Sequence, residues 1–297
     1  MVLNKTIHVA VASNNNYAVL VAALIKSIIF NHHSSEKIIF YIFNDSISLK
    51  NQDRIRSLID DSHKISIQWI KAGDVLPPGM EFPIDKSAFP FTAFLRLFAP
   101  YYIPDDVSKL IYFDADMIMK RDVSDLWKFD LENYTLAAVV DVGKVVSCEW
   151  GGIPNYQQLG LSADAKYFNS GLMIINPKLW RENNIPTKVF KAMNDNIEYV
   201  NYADQYGLNV VFANNWKEID PRWNWYAFSQ HPDPFNIHFL DIKPTFKSYR
   251  SDEEFRKDFF KYLDMTPWKG MKLQSDYIRL YRKAIIKIKK KLIQLVS

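Results

Sequence analysis

The sequence predicts an α/β domain on a largely parallel, Rossmann-like sheet, followed by a C-terminal helical extension, and three observations predict it. Short apolar, β-branched runs recur through the first half, at Ile7–Ser13, Ile38–Asn44, Ser66–Ile70 and Lys109–Phe113. Longer segments of helical period separate them, the alternation expected of βαβ units. The last of the 297 residues form a basic amphipathic stretch unlike the rest of the chain.

Taken in order, Ile7–Ser13 reads as the first strand. Tyr17–Phe30 is apolar on nearly every face and reads as a well-buried helix. Ile38–Asn44 is the second strand, and Leu49–Ile59 a crossover helix with Leu49, Ile55, Leu58 and Ile59 on one side. After Ser66–Ile70, the proline-rich segment Gly73–Pro90 predicts an extended surface loop. Beyond Lys109–Phe113, the stretch Gly143–Ala165, with Trp150-Gly151-Gly152 and Pro154, reads as an irregular flap. Phe168–Asn176 returns to strand composition and is halted by Pro177, and Asn214–Phe246 has little regular period.

Hydrophobic residues make up 48% of the chain, enough to bury one substantial core. Charged residues at 24% exclude wholesale disorder and a multi-span membrane protein. The single cysteine, Cys148, forms no internal disulfide and provides no paired-cysteine zinc site. Met1–Ala12 lacks the pattern of a secretory signal, and Tyr17–Ile29, interrupted by Lys26 and Ser27, is too short to span a bilayer, so a cytosolic location is expected.

The net charge of +4 is uneven, because Lys269–Ser297 carries nine Lys or Arg against one Asp. What remains is 28 basic against 32 acidic residues, a balance that excludes a surface devoted to nucleic acid. From Ser275 to Leu295 apolar residues fall three and four apart, at Tyr277, Leu280, Tyr281, Ala284, Ile285, Ile288, Leu292 and Leu295. Seven basic residues from Arg279 to Lys291 occupy much of the remaining circumference. Such a helix lies on an anionic membrane surface, the alternative being a terminal helix docked on its own domain. The expected organisation is a domain over residues 1–268 and a membrane-association helix over 269–297.

The segment KLIYFDADMIM, Lys109–Met119, sets Asp114 and Asp116 directly after an apolar run. In an open parallel sheet ligands bind beyond the carboxyl ends of the strands, which puts both carboxylates at a site rim. Two carboxylates at this spacing suit a hard divalent cation, the partner a departing diphosphate needs. The other reading is two solvated turn residues.

Six motifs in order resemble glycosyltransferase family 8, whose bacterial members include lipopolysaccharide and lipooligosaccharide galactosyl- and glucosyltransferases. They are Asn14-Asn15-Asn16-Tyr17 after a strand, Phe94-Leu95-Arg96-Leu97, Tyr112-Phe113-Asp114-Ala115-Asp116, Phe168-Asn169-Ser170-Gly171 with Ile174-Ile175-Asn176, Ala203-Asp204-Gln205, and His238-Phe239 with Lys243-Pro244. The resemblance implies the GT-A fold, an α/β/α sandwich of the nucleotide-diphospho-sugar transferase type. It implies retaining transfer of galactose or glucose from a UDP-sugar to a glycan acceptor, lipid-linked or part of a surface glycan, on the cytoplasmic face of the cell membrane.

By the same resemblance, Asp114, Asp116 and His238 ligate manganese, or magnesium. Ala12, Asn14, Asn16, Tyr17 and Ala115 take the nucleotide side of the donor. Lys243 contacts the diphosphate, Arg96 the phosphate or donor sugar, and Asn169 and Asp204 the sugar hydroxyls. Gln205 lies near the anomeric carbon and shares the catalytic role with Asp204, and Asp141 matches an acidic position near the acceptor.

Two departures stand out. Asn14 replaces an acidic residue near the base, and a carboxamide still pairs with uracil. Asp241 stands where the closing motif has glycine, which raises the alternative of a catalytically silent nucleotide-sugar-binding protein on the same fold. A phosphatase or nucleotidyltransferase is disfavoured, since neither its strand context nor a Gly-rich phosphate loop is present.

Overall fold

The computed structural model describes residues 6–59, 64–87 and 89–296. Residues 1–5, where the reading of the N-terminus begins, and residue 88 of the proline-rich loop lie outside the described residues.

The apolar runs of the first half are strands. They are β1 (Thr6–Asn14), β2 (Lys37–Asp45), β3 (Ile65–Lys71) and β4 (Leu110–Phe113), followed by a short β5 (Met117–Met119). Between the first three run α1 (Ala18–Asn31) and α2 (Leu49–Arg56), and α3 (Val123–Trp127) follows β5. The middle of the chain forms β6 (Leu136–Val145), β7 (Lys166–Ile175), α4 (Pro177–Glu182), α5 (Ile185–Asp195), α6 (Asp204–Val211) and β8 (Lys217–Glu218). Last come β9 (Trp225–Tyr226), β10 (Asn236–His238), α7 (Glu253–Leu263) and α8 (Asp276–Val296). Among the described residues no helix is long and apolar enough to cross a membrane.

The chain divides into two compact units. The first comprises residues 1–74, 110–130 and 220–276, and the second 75–109, 131–219 and 277–297.

In the first unit the strands run β3-β2-β1-β4, all parallel. Seven consecutive residues of β1, Ile7 to Ser13, are buried, which is why this strand reads as a continuous apolar run rather than an alternating one. Helix α1 is buried on almost every face, as its composition requires. Its last residue, Asn31, donates through Nδ2 to Met119 O (2.9 Å) and to the Tyr262 hydroxyl (3.0 Å) of α7. A small second sheet, β5-β10-β9, packs in the same unit.

The second unit holds β7-β6-β8, in which β6 and β7 are antiparallel. Phe91–Tyr101, the arginine-bearing segment, is a 3-10 helix containing Pro100. Its Phe94 and Phe98 rings stack and edge against Phe82 and Phe190 to form an aromatic core. The proline-rich loop lacks regular structure after Asp74, as expected from its composition.

Candidate functional site

The first cluster is built by three strands of the first unit. Parallel strand β4 ends at Phe113 and delivers Asp114, whose Oδ1 accepts from the buried Tyr112 hydroxyl at 3.1 Å. Antiparallel pairing of β5 with β10 sets Met117 opposite His238, so Asp116, one residue earlier, lies against the histidine. Phe239 N donates to Asp116 O at 2.9 Å and fixes that register.

The His238 ring is 2% exposed and lies between two oxygen partners. Its Nδ1 is 2.9 Å from Asn224 Oδ1 and its Nε2 is 3.4 Å from Asp116 Oδ1. A carboxamide oxygen only accepts, so Nδ1 carries a proton toward Asn224 and Nε2 faces the carboxylate. With Nε2 deprotonated the two would be acceptors facing each other, and a cation between them would satisfy both. One ligand atom each from Asp114, Asp116 and His238 lies within 4.8 Å of the others. In an octahedral shell with bonds of about 2.1 Å, neighbouring ligands sit about 3 Å apart and opposite ones about 4.2 Å, so the set fits one divalent ion with little movement. Two carboxylates and a neutral imidazole form a donor set for a metal such as manganese.

Lys243 supplies positive charge at the same place. Its Nζ is 2.6 Å from Asp116 Oδ2 and donates to Phe239 O at 2.8 Å. Burial alone would raise the Asp116 pKa, but the charges of Lys243 and His238 and their hydrogen bonds outweigh it and hold the carboxyl far below its ordinary range. Burial likewise works against the charge on Lys243, and the nearby Asp116, Tyr17 and Asp114 raise its pKa on balance.

The nucleotide-side residues lie at the carboxyl end of β1. Ala12 is buried, and Asn14 caps the turn Asn15–Tyr17 by accepting from Asn16 N at 3.0 Å. Asn16 is exposed and Tyr17 half-buried. Asp241 takes the left-handed backbone, with φ of +58°, that explains why the family pattern has glycine there. Its side chain is 58% exposed and lies 3.7 Å from Arg250, so its charge faces solvent beside a cation.

A second cluster occupies the second unit, at two breaks in the β6–β7 register. Pairing shifts between Ala138 and Val139 and again between Val140 and Val145, so both Phe168-Asn169-Ser170-Gly171 and Asp141 fall at irregularities. Such breaks re-aim side chains and recur beside active sites. Asp141 Oδ2 accepts from Asn169 Nδ2 (2.8 Å) and Gln205 Nε2 (3.2 Å). The amide of Gln205 is held from its other end, where Oε1 accepts from Ser170 N at 3.0 Å. Tyr167, fully buried, lies 3.4 Å from Gln205 Nε2, and burial pushes its phenol well up.

Arg96 Nε lies 3.0 Å from Asp204 Oδ2, and both residues are buried. The same guanidinium donates to Ala93 O and to Ser170 O and Oγ, which ties its orientation to the backbone of β7. Helix α6, which carries Asp204 and Gln205, starts after Ala203 at φ +48° and ψ −131°, a strained conformation for a non-glycine residue.

The sequence-predicted residues thus form two sets, Asp114, Asp116, His238 and Lys243 in one and Asp141, Asn169, Asp204, Gln205 and Arg96 in the other. Sequence reasoning missed Asn224, Tyr167 and Asn209, which support them, and had Tyr112 only as part of the motif around Asp114. Asn209 bridges Phe168 N, Phe168 O and Gln205 O, and its spacing of four from Gln205 on a helix was the signal available. Asn224 gave none, being one polar residue in an irregular Trp-rich stretch.

The chain is similar to several known proteins. General stress protein A of Bacillus subtilis is 25% identical over 286 residues, covering 89% of this chain and 96% of its own. A lipopolysaccharide 1,2-glucosyltransferase of Escherichia coli is 24% identical, with 90% of this chain and 80% of its own covered. Two streptococcal relatives are longer, the chain spanning 63% and 32% of their lengths. Among solved structures, the galactosyltransferase LgtC in complex with donor and acceptor sugar analogs superposes with a TM-score of 0.72 at 23% identity, covering 89% of this chain and 99% of that one. The fold is therefore the expected GT-A type. Residues 8–258 match the family model described as Glycosyl transferase family 8, and the chain belongs to that family.

Proposed function

We propose that this protein transfers a hexose, galactose or glucose, from a UDP-sugar to a glycan acceptor with retention of anomeric configuration. The observation that carries the reading is the acceptor set of Asp114, Asp116 and His238 with Lys243 beside it, in a chain of family 8. We assign the metal as manganese, with magnesium able to replace it.

Asp114, Asp116 and His238 would hold a divalent ion, which would supply positive charge to the departing diphosphate. Asn224 orients the His238 ring, and Tyr112 orients Asp114. Lys243 adds a second cation for the diphosphate. Ala12, Asn14, Asn16, Tyr17 and Ala115 hold the nucleotide side, where the Asn14 carboxamide pairs with uracil. Asn169 and Asp204 hydrogen-bond the sugar hydroxyls, and a buried polar group left unpaired by the wrong epimer gives discrimination. Arg96 serves the phosphate or donor sugar, and its contacts with Asp204 and Ser170 hold it and Asp204 in place. Gln205 and Asp204 act at the reacting end of the sugar, and Asp141 takes the acceptor. The outward charge of Asp241 removes the main argument for a silent binding protein.

The acceptor fits a lipid-linked or surface glycan, a reading supported by the lipopolysaccharide-directed name of the Escherichia coli relative and by α8. The body of the protein, residues 1–268, carries the chemistry, and the basic helix in 269–297 holds it to the inner face of the cell membrane. Supporting this, Tyr277, Leu280, Tyr281, Ile288, Leu292 and Leu295 of α8 are exposed, so the apolar stripe faces outward.

Donor choice and stereochemistry are read together by NMR of UDP-galactose and UDP-glucose incubated with manganese and the protein. Preferential consumption of one donor, with the α-anomer of the free sugar appearing first, is the expected result. First appearance of the β-anomer would exclude retention.

A further inference from the structure

Helix α8 docks through a charged residue and leaves its apolar stripe outside. Lys290, 4% exposed, places Nζ 2.6 Å from Asp85 Oδ1 and 3.2 Å from Ser87 O, within 5.8 Å of the Phe91 ring centroid. The Asp85 carboxylate is itself buried and also accepts from Ser87 N at 2.9 Å. This contact pins the last turns of α8 to the proline-rich loop.

Beside the pinned turn lies a cavity of about 670 Å³. Its walls include Met80, Phe82, Ile84 and Phe91 from the loop side and Leu292 and Ile293 from α8, with Glu81 as its only carboxylate among the described residues. The volume lies within the ~300–1,000 Å³ of pockets that hold small ligands. Leu292 belongs both to this wall and to the outward stripe, being 57% exposed, so the groove opens onto that apolar face. Lys289, one turn before Leu292 and Ile293 on the same face of α8, is exposed, and so are Lys287 and Lys291 elsewhere on the helix. An occupant must therefore be apolar along its length and anionic where it meets solvent, and it must come from the surface that covers the stripe.

We propose that this groove receives one hydrocarbon chain of an anionic membrane lipid, with the lysines of α8 taking the headgroup; the inference rests on the membrane-association reading of α8. Each buried methylene of such a chain tightens binding about fourfold. The buried Lys290–Asp85 pair keeps the groove formed before the lipid arrives, and Glu81 at its wall disfavours a headgroup entering first.

The test uses the full chain and vesicles of phosphatidylcholine and phosphatidylglycerol, the latter carrying a diazirine at the end of one acyl chain. Photolysis and peptide mapping should place adducts on the segment from Met80 to Phe91 and on Leu292 and Ile293. Met80→Trp and, from the opposite wall, Ile293→Trp fill the groove and should each lower those adducts about tenfold, while vesicle sedimentation is retained. Sedimentation with adducts confined to Tyr277–Ile288 would overturn the groove and leave surface association standing. Failure of the intact protein to sediment with these vesicles would overturn both.

Discussion

Lys243 Nζ lies 2.6 Å from Asp116 Oδ2, so the proposed metal ligand already carries a cation from its own chain. The ammonium would compete with a divalent ion for this carboxylate, and a bound diphosphate would draw the lysine away. Lys243→Ala should therefore strengthen manganese binding by the donor-free protein and weaken UDP binding, each by about tenfold. Titration followed by electron paramagnetic resonance and calorimetry checks both. Weakening of both affinities would show that Lys243 supports the metal rather than competing with it.

Asn224 is outside the Asp114, Asp116 and His238 set, yet it orients the His238 ring through a 2.9 Å contact. Asn224→Leu removes the acceptor and frees the ring, and metal affinity should fall about 10–100-fold. Circular dichroism separates this from unfolding. Unchanged affinity would mean that Asn224 is a packing residue.

Arg96 and Asp204 form a buried pair at 3.0 Å. Arg96→Met strands the carboxylate and should cost about 3–5 kcal/mol in urea unfolding, while the double change Arg96→Met with Asp204→Leu should recover much of it. Additive losses would argue that the pair is not a unit.

How much of this was legible in the sequence depends on what encodes it. Strand β1 and helix α1 are buried on both faces, so unbroken apolar composition announced them. Asp114 and Asp116 followed from the strand before them. His238 was recognised only through the family pattern, because its ligand role depends on a β5–β10 register that no local signal encodes. The same holds for β6: its two register breaks are tertiary events, and Asp141 owes its place to them. Helix α8 was legible as amphipathic, but which side docks was not, since burial of Lys290 depends on Asp85, 205 residues away.

Asp122 caps α3 through Ser124 N at 2.8 Å and also accepts from His33 N and Ser34 N. Burial would raise its pKa, but these backbone hydrogen bonds and that of His32 hold it below the ordinary range. A carboxyl lowered by folding contributes stability above its unfolded value of about 3.9 and loses it as pH falls from there toward the folded value. Asp122→Ala should cost about 1–2 kcal/mol at neutral pH and flatten the loss of stability below about pH 4. Urea midpoints measured from neutral to acid pH decide it. Parallel pH curves for the two proteins would assign the acid sensitivity elsewhere.

The most direct test of metal-dependent glycosyl transfer is release of UDP from UDP-galactose and UDP-glucose with manganese, compared between the parent protein and Asp116→Asn. Slow manganese-dependent hydrolysis of one donor, abolished by EDTA and lowered by about 100-fold or more in the variant, is the predicted result. Equal turnover by the two proteins, or no turnover of either donor by the parent with no manganese-dependent UDP binding, would contradict it.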